Sequence, residues 1–315
     1  MNSSLPLVSI ITSTYNQAEY LEQAIKSVIN QDYPNIEYLV FNDGSTDKTE
    51  EVLKKYNGEI YWETQPNMKE VPTLNKALKI AKGEIIGKLS SDDYFYPSLV
   101  SEIVNAFEMN QKIIVAYPDF DIVDQFGKFK SKYSVEYNFA KSVSEHFCIP
   151  GVGAFFHRRL LDDVPGFDAS FIRVFDLYFW WQAGLHGSFY HIPKTLGAFR
   201  SHSESQTARG GMISSKETIR LIKAFYSIDN LPQEIIKVKR EAYSSAYFIA
   251  GVYSARDKNG KIKTLEYLSK SIFSSPEKFF TKYWKERSAF IFGFIFGDRT
   301  KTNIKSIIKK LNYNK

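Results

Sequence analysis

The sequence predicts an α/β fold on a mostly parallel central sheet with helices on both faces, followed by a helical C-terminal region. Three observations predict it. Short apolar, β-branched runs alternate with stretches of helical spacing through the N-terminal part of the chain. The connections between them are short, as in a sheet crossed by packed helices. Beyond residue 213 the strand signal stops and only helical spacing continues.

The elements follow in order. Residues 7–12 (LVSIIT) read as a buried strand and 13–17 as a polar loop. In residues 19–30, Leu21, Ala24, Ile25, Val28 and Ile29 recur at helical spacing. Residues 36–41 form a second strand ending in Asn42-Asp43-Gly44-Ser45. Residues 46–56 form a helix capped by Ser45 or Thr46, and 59–64 a short strand. Residues 71–81 form a helix stopped by Lys82-Gly83. Residues 84–89 form the next strand, and 90–93 its loop. Pro97 opens a helix at its first position, and residues 99–109 continue it. The pattern then changes. Residues 113–116 read as a strand and 119–130 as an antiparallel hairpin. Residues 150–156 are a strand whose glycines, Gly151 and Gly153, imply close backbone approach. Residues 175–185 form an aromatic-rich helix, and 190–199 an extended segment. The polar stretch near residues 205–213 separates a first domain, 1–208, from a helical region, 209–315.

In a sheet of this kind ligands bind at the carboxyl ends of the strands, near the point where strand order reverses. Residues 12–16, 42–47 and 90–94 therefore fall on one rim. Asp92 and Asp93 are adjacent carboxylates there. Like charges side by side repel, and a fold tolerates them where they are solvated or share a cation. Hard cations such as Mg²⁺ or Mn²⁺ take carboxylate and phosphate oxygens. The same residues also suit a solvated turn ahead of the Pro97 helix. Asp43 sits in a turn-forming sequence, but a rim carboxylate can also accept hydrogen bonds from a base or ribose.

Composition narrows the alternatives. The chain has 315 residues and a net charge of +6. From residue 281 on, nine Lys or Arg oppose Glu286 and Asp298, a net +7, so the body of the chain is close to neutral and offers no basic nucleic-acid groove. The single cysteine, Cys148, forms no internal disulfide and suits a reducing compartment. No secretory signal is visible, and no stretch reaches the ~18 apolar residues of a membrane span. The expected location is cytoplasmic, at the inner face of the cell membrane if the tail binds lipid. That tail combines SAFIFGFIFG with a basic stretch over 303–315. It suits either peripheral contact with an anionic membrane or packing on the catalytic domain.

PLVSIITSTYNQAEYLEQAIKSVINQDYPNIEYLVFNDGSTDKTEEVL, LNKALKIAKGEIIGKLSSDDYFYP, GVGAFFHRRLLDDVPGFD and FRSHSES occur in this order between about residues 6 and 205. Together they resemble the inverting glycosyltransferases of family 2, of the bacterial polysaccharide and cell-surface glycan type. The resemblance implies a GT-A fold and transfer of a sugar from a nucleotide sugar, UDP by preference, to a hydroxyl of a glycan or lipid-linked acceptor. Thr12, Tyr15 and Asn16 would line the nucleotide pocket, with Asp43 on the base and Asn75 among the donor contacts. Asp92 and Asp93 would stand for the family's DXD motif, Asp92 nearer the ribose and Asp93 the ligand of Mn²⁺ or Mg²⁺. His202 matches the family's Arg-x-His, as a contact of the metal or diphosphate or as a loop cap. Asp176 would be the general base. Three positions depart from the pattern: Ser91 opens the DXD triplet, Asn67 replaces an acidic residue, and Phe175 replaces the Glu before the base.

Two other classes fit parts of this pattern. One is a non-catalytic sugar-nucleotide-binding or scaffold protein of the same fold. The other is a nucleotidyltransferase, but residues 13–17 hold neither the Gly nor the Lys of a phosphate-binding loop.

Overall fold

The structure is a computed structural model that describes residues 5–148, 150–202 and 210–277. It divides into two compact units. The first takes the described residues up to 137, then 150–175 and 182–202; the second takes 138–148, 176–181 and 210–277. Segments 138–148 and 176–181 thus cluster with the helical unit although they lie before residue 208.

In the first unit β1 (Val8–Thr14), α1 (Ala18–Ile29), β2 (Ile36–Asn42), α2 (Thr49–Lys54), β3 (Tyr61–Thr64), α3 (Glu70–Ile80) and β4 (Ile85–Lys88) alternate as expected. β5 (Tyr94–Phe95), α4 (Leu99–Met109), β6 (Ile113–Val123) and β7 (Phe129–Tyr133) follow. Strand order is β3-β2-β1-β4, then three later strands, then β5, with β7 off this path on residues 120–123 of β6. β3, β2, β1 and β4 are mutually parallel. Strand order reverses at β1, which lies between β2 and β4, and this puts the ends of all three on one rim. The alternation of apolar residues on α1 buries Leu21, Ala24, Ile25 and Val28 in a core with Ile10, Val40 and Leu53. The same core takes Leu99 and Ile103 of α4. Close packing fixes two glycines: a Cβ at Gly83 would lie 2.4 Å from the Ser9 nitrogen, and one at Gly87 would enter the Phe155 ring.

Several boundaries differ from the expected ones. β1 runs on to Thr14, because its pairing with β2 continues through Thr14↔Asn42. α2 begins at Thr49 rather than at 46, with no side-chain cap from Lys48. Asp47 takes the capping role instead, accepting from the Thr49 nitrogen at 3.0 Å. β6 is one strand where a strand and a separate hairpin arm are expected. Pro118 lies inside it, and the pairing register shifts there, which absorbs the missing donor.

The chain continues with α5 (Phe139–Glu145), β8 (Phe155–His157), α6 (Leu160–Asp163), α7 (Phe175–Ala183) and β9 (Ser188–Arg200). β8 is shorter than the 150–156 strand. Gly151 and Gly153 do meet close neighbours, the Phe120 ring and Pro118. β8 bridges β4 and β6 antiparallel, and β9 pairs β6 in parallel and β5 antiparallel. The later strands are the β8-β6-β9 set, so the sheet is mostly parallel in its first half and mixed in its second.

The second unit is helical. α8 (Met212–Phe225), α9 (Gln233–Lys237), α10 (Lys239–Ser254) and α11 (Lys261–Ser274) join α5. Small residues let α10 approach its neighbours closely: the Ser215 hydroxyl donates to the Ala250 carbonyl at 2.8 Å, and Ser244 to Ser271 at 2.8 Å. Trp181 donates to the Ser142 hydroxyl at 3.0 Å and packs against Phe225. No helix among the described residues is long and apolar enough to cross a membrane. The aromatic and basic tail lies outside the described residues.

Candidate active site

The three rim loops are knitted to one another by side chains. Asn16, held at φ 53°, receives the Thr46 nitrogen on its Oδ1 at 2.8 Å, and its own nitrogen donates to Ser45 Oγ at 2.9 Å. Asparagine tolerates this left-handed backbone better than most residues. Asp47 Oδ2 accepts from the Ala18 nitrogen at 3.0 Å, so one carboxylate starts both α1 and α2. Tyr15 between them is exposed. Thr12 lies deeper than the loop position expected of it. It is fully buried in β1, where its hydroxyl donates to the Leu89 carbonyl at 2.8 Å and meets the Tyr38 hydroxyl at 3.1 Å.

Asp43 is buried at the end of β2. Three donors converge on its Oδ1: Gln65 Nε2 at 3.0 Å, the Met68 nitrogen at 2.8 Å and Thr73 Oγ1 at 2.9 Å. All three use the same oxygen, which fixes the carboxylate plane and leaves Oδ2 outside this set. Gly44 follows at φ +78°, where a Cβ would lie 2.8 Å from the Asn67 nitrogen. The loop at residues 65–70 is therefore pressed against the Asp43 turn. Asn75 on α3 uses both ends of its amide on one residue, donating to the Phe167 carbonyl at 2.7 Å and accepting from its nitrogen at 2.9 Å.

The third loop carries Ser91, Asp92 and Asp93. Asp93 is buried, and its Oδ1 accepts from the Arg200 nitrogen at 2.8 Å. Burial, and then the neighbouring Asp92 charge, push the Asp93 carboxyl well above the ordinary carboxylate range, against the Arg200 nitrogen and the Lys88 charge. Asp92 Oδ2 lies 3.0 Å from His202 Nε2, and the His202 ring packs on Tyr20 at 5.2 Å. Arg200 is the clamp of this corner. It donates to the Asp92 carbonyl at 2.9 Å, the Gln125 carbonyl at 3.0 Å and Gln23 Oε1 at 2.5 Å, and its guanidinium lies over Tyr20 at 4.9 Å. These partners engage its donors within the protein, so it orders the Asp92–Asp93 loop and α1.

Sequence reasoning passes over Arg200 as a clamp, over Gln65 and Thr73, and over Lys88. The last carried a signal: a lone lysine interrupts the apolar run IIGKL just before the acidic loop. Lys88 Nζ pairs with Glu70 Oε1 at 3.2 Å and lies 5.0 Å from the centre of the Phe175 ring.

Asp176 lies in the first turn of α7 and belongs to the second unit, and its Oδ1 accepts from the Leu177 nitrogen at 2.8 Å. Asp168 makes a local turn, accepting from the Ser170 nitrogen at 2.8 Å.

Among the described residues no three of His, Cys, Asp or Glu stand together as a metal cage. The chemistry of Asp93, with Asp92 and His202 beside it, fits a hard cation held by one or two carboxylates that completes its shell with phosphate oxygens.

Comparison with known proteins agrees with this geometry. The family profile described as Glycosyl transferase family 2 matches residues 9–164. An uncharacterized glycosyltransferase of Rickettsia typhi is 30% identical over 273 residues, covering 84% of each chain. S. aureus TarS 1–349 in complex with UDP-GlcNAc superposes with a TM-score of 0.67 at 18% identity, covering 96% of this chain and 91% of that one. The chain spans 55% of the longer TarS chain. A Pyrobaculum calidifontis mannosyltransferase in complex with GDP-Man and Mn²⁺ superposes with a TM-score of 0.60 at 15% identity, covering 99% of this chain and 89% of that one. The parallel β3-β2-β1-β4 sheet with its acidic rim, the ordered motifs and the Rickettsia relative converge: the chain is a glycosyltransferase of GT-A fold and belongs to glycosyl transferase family 2.

Proposed function

We propose that the protein is an inverting transferase that moves a sugar from a UDP-sugar to a hydroxyl of a glycan or lipid-linked acceptor. The observation that carries this reading is the joint placement of Asp43, Asp92 and Asp93 on one rim at the strand-order reversal. The UDP-GlcNAc held by the TarS neighbour and the Mn²⁺ held by the mannosyltransferase neighbour support the donor class and the metal.

Asp43, with its carboxylate plane fixed by Gln65, Met68 and Thr73, accepts from the base. Tyr15 and Asn16 flank the nucleotide on the first loop, and Thr12 holds the ends of β1 and β4 together beneath it. Asn75 shapes the donor pocket by pinning the backbone at Phe167. Asp92 serves the ribose side. Asp93, with His202 beside Asp92, would hold Mn²⁺ or Mg²⁺ at the diphosphate. When bound, that cation neutralises charge on the leaving group. Asp176 takes the proton of the attacking acceptor hydroxyl. The oxygen then attacks the anomeric carbon in a single displacement, with no covalent sugar-enzyme intermediate.

The test is the Asp176→Asn variant. UDP affinity should stay within about twofold of wild type, while transfer falls ~10²-fold or more, the usual worth of a positioned general base. Loss of UDP binding instead would move Asp176 from the acceptor side to the donor side.

A further inference from the structure

Lys88 is the final residue of β4, and the acidic loop begins two residues later. Register places Lys88 beside Ile11, within β1 and below the Thr14–Asn42 pair that ends β1 and β2. Its side chain is about three-quarters buried, paired with Glu70 at 3.2 Å and lying over the Phe175 ring at 5.0 Å. Glu70 is the first residue of α3, directly after Lys69. Lys69 holds φ 77° and ψ 159°, a backbone region otherwise left to glycine. The strained residue therefore sits between the loop that meets Asp43 through the Met68 nitrogen and the carboxylate that meets Lys88.

Two other cations near this rim are held by partners within the protein. Arg200 spends its donors on Asp92, Gln125 and Gln23. Lys76 is shared between Glu63 and Gln65. Lys88 pairs with the first residue of α3, and its four-carbon stem lets the ammonium change partners while staying paired. The need for a protein cation is large here, because a diphosphate must enter a rim that already carries Asp43, Asp92 and Asp93.

We propose that Lys88 is a catalytic residue that leaves Glu70 to bind the β-phosphate of the departing nucleoside diphosphate. The assignment rests on the donor-site reading above. As the bond between the anomeric carbon and the β-phosphate oxygen breaks, its electron pair passes to that oxygen. The acceptor oxygen bonds to the anomeric carbon, and its proton goes to the general base. Lys88 stays protonated throughout and donates a charge-assisted hydrogen bond to the newly charged oxygen.

The experiment titrates UDP and uridine into the full-length wild type and into Lys88→Met, Lys88→Arg and Glu70→Gln. A phosphate contact predicts that Lys88→Met weakens UDP ~10- to 100-fold, as loss of a charged hydrogen bond does, and leaves uridine unchanged. Lys88→Arg should recover part of the loss, and Glu70→Gln should bind UDP more tightly than wild type, because the competing carboxylate is gone. Equal losses for UDP and uridine would show that Lys88 only supports the fold, and unchanged UDP binding would remove it from the phosphate site; either overturns the assignment alone. A wild type that binds neither ligand overturns the donor-site reading, and this assignment with it.

Discussion

Asp43 gives its two oxygens separate functions in the proposed donor site. Its Oδ1 anchors three donors of the fold, and the second oxygen would accept from the base. Asp43→Asn can keep the first function through its amide oxygen but replaces the second oxygen with a donor. Its folding stability should therefore fall by less than about 1 kcal/mol, while uridine affinity drops ~10-fold or more. Asp43→Ala should lose both, with a stability cost of about 1–3 kcal/mol from the stranded donors. Urea unfolding and uridine titration on the pair check this; uridine binding unchanged in Asp43→Asn would remove Asp43 from the base. The rim positions of Asp43, Asp92 and Asp93 were legible because each follows an apolar run that reads as a strand. The role of Arg200 was not, because its partners come from Gln23, Asp92 and Gln125, brought near only by the sheet. Thr12 was legible as polar and placed too near the surface, since nothing local says that Tyr38 and Leu89 will close over it.

At the level of elements, local pattern and tertiary pairing divide the work. α1, α3 and α4 follow their apolar spacing to within a residue or two. β6 does not stop at Pro118 as its sequence suggests, because β9 continues past it with a shifted register. The end of α5 carries a different kind of information. His146 closes that helix at φ 57°, is buried, and has no hydrogen-bond partner on either ring nitrogen among the described residues. Burial pushes its pKa down to about 3. The unfolded chain takes up this proton near pH 6.5 and the folded chain does not. The unfolded state therefore binds more protons between those values, and stability falls as pH drops through the window. His146→Asn keeps a residue that accepts the left-handed backbone and removes the titration. Urea unfolding at pH 6.5 and 5 should show wild type losing up to ~2 kcal/mol more than the variant. Parallel losses in the two proteins would mean that His146 finds a partner for its charge.

For the whole molecule, the α/β character and the helical C-terminal region were readable from the chain, since both rest on periodicity. The grouping of 138–148 and 176–181 with the helices was not, since it depends on where Trp181 and α5 pack. The charge of the molecule is concentrated beyond residue 281. A basic, aromatic tail of that kind suits either an anionic lipid surface, which a lipid-linked acceptor would share, or packing on the catalytic domain. Deleting residues 281–315 should shift the protein from the floating to the bottom fraction in a vesicle flotation assay with anionic liposomes, and an unchanged distribution would remove the membrane from the account. The most direct test of the central claim, that the rim of Asp43, Asp92 and Asp93 is the donor site of an active transferase, is nucleoside diphosphate release from a panel of nucleotide sugars with Mn²⁺. Wild type should release UDP from at least one UDP-sugar, and Asp93→Ala should lose ~10²-fold or more of that rate. Release from no donor, or an undiminished rate in Asp93→Ala, would contradict it.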